Sequence, residues 1–137
     1  MSALAQRVAT AVVLLAALCA AVFLLSPTLF AWALLVLIVP AAFEWARLAG
    51  FAARARIAYA LGVCALALVL LLLPAAGFDG GWPPPLVIAI CGAATLFWIF
   101  VATPWVAARW PVRPRALVAS IGALVLVATW VALVTLH

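Results

Sequence analysis

Chemistry has few places to reside in this chain. Its 137 residues include two carboxylates, Glu44 and Asp79, one histidine, His137, three cysteines and seven arginines, with no lysine. Carboxylates hold magnesium and basic side chains clamp phosphate, so phosphoryl or nucleotidyl transfer is the chemistry such types would serve. Two carboxylates separated by 34 intervening residues are a sparse supply for it. Nucleophilic catalysis needs a serine, cysteine or threonine beside a base. The one histidine stands at position 137, at the end of the sequence, where chains fray. No G-x-S-x-G, H-E-x-x-H, P-loop or glycine-rich dinucleotide turn occurs. No apolar run carries a mid-span charge, the usual mark of an ion or proton path.

One short constellation stands apart: Glu44-Trp45-Ala46-Arg47-Leu48-Ala49-Gly50. Glu44 and Arg47 are three residues apart, on one helical face, and are spaced to pair. Two readings stay open. The segment is either a helix end with a snorkelling ion pair beside a tryptophan anchor, or a site at the membrane interface.

The elements that position these residues are apolar. Hydrophobic residues make up 74% of the chain and charged residues 7%, against roughly 25% charged in a soluble domain. Lipid is the solvent such a composition requires. Five apolar runs predict an all-α, polytopic membrane protein with spans over residues 8–25, 29–47, 57–73, 86–103 and 116–136. Outer-membrane strands alternate apolar and polar residues, and these runs do not. The first run, long and without a polar cleavage region, reads as an uncleaved span. The whole forms a single domain.

Proline and glycine punctuate the runs. Ser26-Pro27-Thr28 breaks the first from the second, and Gly50 is a natural helix stop. Pro40 lies inside the second span and is expected to kink or loosen it. Pro74, Gly77, Gly80, Gly81 and Pro83-Pro84-Pro85 mark the third loop, and Pro104, Pro111 and Pro114 bracket the fourth.

The arginines set orientation. Arg7 precedes the first span, Arg47, Arg54 and Arg56 follow the second, and Arg109, Arg113 and Arg115 follow the fourth. All seven fall on one side, which the positive-inside rule makes cytoplasmic, with the N-terminus. Glu44 and Asp79 then lie on opposite faces and cannot share an ion. The +5 net charge belongs to this lipid-facing pattern, and nucleic acid is excluded as a partner. Cys19, Cys64 and Cys91 lie inside apolar runs as packing residues, not a disulfide framework. Trp45, Trp82, Trp105 and Trp110 sit at span ends or in loops, where the indole serves as an interface anchor. The pairs Ala16/Ala20, Ala58/Gly62 and Ala119/Ala123 are spaced for close helix approach.

Arg7-Val8-Ala9-Thr10-Ala11, the Ser-Pro break, the second apolar run and the E-W-A-R-L-A-G segment at Glu44 to Gly50 follow in the order found in bacterial phosphatidate cytidylyltransferases. The chain resembles the N-terminal part of that family over its whole length. The resemblance implies a membrane region of a phospholipid-biosynthesis enzyme that joins CTP and phosphatidate into CDP-diacylglycerol and pyrophosphate. The family's lysine-, aspartate- and histidine-bearing signature lies in a C-terminal half and is absent from these residues. Magnesium is therefore expected for the full-length family, and no cofactor or catalytic residue for this chain. Glu44, Trp45 and Arg47 match the N-terminal motif, with a structural or lipid-facing role. The expected location is the bacterial cytoplasmic membrane. The expected partners are membrane lipids and a C-terminal segment or partner membrane chain, with a homo-oligomer left open. The rival expectation is a small non-enzymatic membrane scaffold or subunit.

Overall fold

A computed structural model of the chain describes residues 3–72, 78, 81–108 and 114–137. Asp79, Arg109, Trp110 and Arg113 lie outside the described residues, as do Pro74, Gly77, Gly80, Pro111 and the Arg7 side chain. Among the described residues there is no strand. The helices are α1 (Ala3–Leu24), α2 (Pro27–Leu48), α3 (Ala53–Leu72), α4 (Pro84–Phe97), α5 (Thr103–Ala107) and α6 (Arg115–Leu136), with a π-helical turn (Trp98–Ala102) joining α4 to α5. Five stretches are long and apolar enough to cross a membrane, α4 through α5 counting as one. The protein is an all-α, multi-pass membrane protein.

Local chemistry explains the helix ends. Ser26 caps α2, its hydroxyl accepting from the Leu29 N–H at 3.4 Å, and Pro27 takes the first turn, where its missing N–H costs nothing. At the other end Gly50 adopts φ +76°. The Phe51 N–H donates to Ala46 O and the Gly50 N–H to Arg47 O, both at 3.0 Å. That is a Schellman closure, and glycine alone adopts its left-handed turn without a Cβ penalty.

Helix α2 runs on past Pro40, which is exposed on the bundle's outer surface. One expectation about proline needs correction. Pro104 does not open a loop, since helix continues to Ala107. Proline lacks the N–H and crowds the carbonyl four residues back. The π-turn accommodates it: the Thr103 N–H reaches Trp98 O, and the Thr103 hydroxyl donates to that same oxygen at 2.7 Å. The third helix also starts earlier than expected, at Ala53, so Arg54 and Arg56 are helical.

Packing centres on α2, which lies against both α3 and α6. Its inward face carries Ala31, Leu35, Ile38, Ala42 and Ala46 at intervals of three and four. Ala31 and Ala42 are fully buried, as is Ala67 of α3, so α2 and α3 approach through small side chains. Helix α4 leans on α6 and buries no residue. Helix α1 touches α2 only lightly, and none of its span is buried.

Candidate functional site

The arginine-bearing ends of α2, α3 and α6 meet. The Trp45 indole N–H donates to Val118 O at 2.8 Å, and the Tyr59 hydroxyl donates to Ala119 O at 2.8 Å. Two successive carbonyls of α6 are thereby held by α2 and α3. Each carbonyl has a second lone pair beyond its helical bond, and in lipid no water competes for it. Phe51 packs edge-on against Tyr59 at 5.9 Å, and Arg56 Nε donates to Phe51 O at 2.7 Å. Arg115 Nε lies 3.8 Å from where a Cβ on Gly50 would stand. Arg47, Arg54, Arg56 and Arg115 therefore share one end of the bundle.

Within Glu44–Gly50 the three marked residues diverge. Glu44 and Arg47 do pair, Oε2 to Nη2 at 2.7 Å, with both side chains more than half exposed. Trp45 turns inward and lies against α6. A Cβ on Gly122 would collide with its indole ring, so only glycine leaves room there. Gly122 was not among the small-residue positions marked in the sequence. Its one signal was being the sole glycine of α6, since a glycine inside a helix costs about 1 kcal/mol and wants a packing reason. Two of the marked pairs behave otherwise: Ala16 and Ala20 are exposed, and a Cβ on Gly62 would meet open space, whereas Ala119 and Ala123 are half-buried where α6 meets the core.

The opposite end is closed by aromatics. Trp130 donates to Ala31 O at 3.1 Å, and Trp82 donates to Leu70 O at 2.7 Å. Their rings meet edge to face at 5.0 Å, Phe78 packs on Trp82 at 4.7 Å, and His137 stacks on Phe30 at 4.3 Å. Trp82 is thus not an interface anchor. It is only 6% exposed because the indole has an apolar body for the core and one N–H that Leu70 satisfies.

What this arrangement can do chemically is limited. Among the described residues no three of His, Cys, Asp and Glu gather, and the described carboxylate, Glu44, is held by Arg47. Magnesium prefers several oxygen ligands in octahedral array, so these residues do not form a site for it. The cysteines are free thiols, Cys64 and Cys91 packed against the core and Cys19 exposed on α1.

The structure does contain a groove. It opens between the end of α2, the π-turn with α5, and the start of α6, with a volume of about 270 Å³. Trp45, Phe97, Trp98, Trp105, Val118, Ile121 and Val125 are among its lining residues. A second hollow of about 200 Å³ between α4 and α6 shares Trp98 and Val125 with it and extends to Ala132. No protein-family model, curated protein or solved structure matches this chain.

Proposed function

We propose that this chain is the membrane-embedded N-terminal region of a phosphatidate cytidylyltransferase-like protein. It serves as the helical scaffold against which a catalytic half packs. The observation that carries this reading is the use made of Glu44–Gly50, the segment on which the resemblance rests. Its seven residues present an ion pair, dock an indole on α6 and close α2 with a left-handed glycine. The segment organises the arginine end of the bundle, as a family motif with a structural role would.

The proposed setting is the bacterial cytoplasmic membrane, with the arginine end and N-terminus cytoplasmic by the positive-inside rule. In that setting CTP and phosphatidate would meet at the cytoplasmic face. The carboxylates and basic groups for CDP-diacylglycerol formation would come from the catalytic half, with magnesium. The scaffold's contribution is apolar surface: α1 and the outer face of α4 are open to lipid or to another helix. That same exposure favours the second reading, a non-enzymatic subunit packing against a different membrane protein.

The deciding experiment reconstitutes the chain in phosphatidate-containing vesicles with a separately expressed C-terminal half of a phosphatidate cytidylyltransferase. Conversion of labelled CTP to CDP-diacylglycerol by the pair, and not by the chain alone, is expected. Failure of the two to associate or convert sinks the reading. Stable co-purification with another membrane protein, without CTP dependence, moves the assignment to the subunit.

A further inference from the structure

We infer that the tryptophan-lined groove holds one anionic phospholipid, its acyl chain along α6 and its phosphate at Arg115. This inference is independent of the cytidylyltransferase reading and concerns a resident lipid, not a substrate.

The shape argues for a chain. The groove and the hollow beside it run along α6 from Val118 to Ala132, roughly 21 Å at about 1.5 Å per residue. That exceeds the roughly 15 Å hydrocarbon depth of one leaflet, half of about 30 Å. The groove's volume of about 270 Å³ lies below the roughly 300–1,000 Å³ of ordinary ligand sites. A slender acyl chain fits.

The charge argues for an anion. Val118, Ile121 and Val125 line the groove at helical spacing, and Arg115 lies three residues before Val118 on α6, beyond the groove's apolar lining. Its guanidinium lies at the gap between α6 and Gly50. Nearby Arg47 gives one terminal nitrogen to Glu44, while a guanidinium has five N–H donors. No side chain caps the start of α6, so the positive end of its dipole adds to this field. Basic pockets between transmembrane helices on this side of a membrane hold lipid headgroups.

Native mass spectrometry tests the inference. The full chain is released from nanodiscs of equimolar dioleoyl phosphatidylglycerol and dioleoyl phosphatidylcholine, and retained lipid is counted. One phosphatidylglycerol per chain is expected, in clear excess over phosphatidylcholine. Arg115→Gln should reduce its retention roughly fivefold, the effect of one arginine at a lipid surface. Val125→Trp, which fills the groove, should abolish retention while helix content stays unchanged. Arg54→Gln with Arg56→Gln, at the start of α3, should leave retention near wild type. Equal retention of both lipids overturns the inference. So does indifference to Arg115→Gln, or an equal loss in the α3 control, which would mark a diffuse basic surface. Should Val125→Trp fail to fold, the comparison of Arg115 with the α3 arginines still decides.

Discussion

The Trp45 indole lies over Gly122, closely enough that a methyl group at that position has no room. Its N–H reaches Val118 O, one turn earlier on α6, at 2.8 Å. A packing contact and a hydrogen bond thus fix the end of α2 to the start of α6. Gly122→Ala is expected to lower stability by about 1–3 kcal/mol, the usual cost of overpacking. Trp45→Phe, which mainly removes the hydrogen bond, should cost about 0.6 kcal/mol. In a Trp45→Ala background the Gly122→Ala penalty should vanish. Unfolding in mixed micelles measures the cycle, and additive penalties would show the two residues uncoupled.

Trp82 lies outside every helix yet belongs to the core. Trp82→Ala removes a buried ring and its bond to Leu70, and should destabilise by roughly 3–5 kcal/mol. Trp98→Ala, on a ring 53% exposed, should cost much less. Comparable losses by thermal unfolding would contradict the burial of Trp82.

Pro104 is the reason for the π-turn. Pro104→Ala restores an N–H and removes the ring, so Trp98–Ala107 should relax to ordinary α-helix. Hydrogen exchange is the readout: the new amide at position 104 should be protected. Rapid exchange there would mean the π-turn has another cause.

The Glu44–Arg47 pair is exposed, and exposed pairs contribute about 0.2–1 kcal/mol. Glu44→Gln with Arg47→Gln should therefore leave expression and melting nearly unchanged. Should the activity of a partner half also stay unchanged, the pair has no functional role. Loss of expression alone would instead give it a structural one.

Orientation is open to direct labelling. In a background with all three native cysteines replaced by alanine, Arg54→Cys and Phe78→Cys should react with impermeant maleimide from opposite sides of sealed vesicles. Labelling from one side would mean that α3 does not cross.

Much of the fold was legible because lipid imposes simple rules. A helix satisfies its own backbone, so a long apolar run without alternation has one outcome in a membrane. The five stretches long and apolar enough to cross, the stop at Gly50 and the pairing of Glu44 with Arg47 follow from residue type and local spacing. Pro104 misled because a proline signal reports lost hydrogen bonding, and a π-turn is a second way to absorb that loss. Trp82 misled because an indole suits an interface and a satisfied core equally well.

By itself, then, the sequence determined the solvent, the five membrane-length helical stretches and the end at which the described arginines gather. These depend on composition and on contacts a few residues apart. Tertiary structure alone decided that Trp45 finds Val118, that Gly122 lies beneath it, that Trp82 reaches Trp130, and that a groove remains beside α6. Those relationships join residues far apart in the chain. In an apolar sequence, many pairings of helix faces are nearly equal in hydrophobicity. Shape and a few side-chain donors choose among them, and neither is written in local spacing.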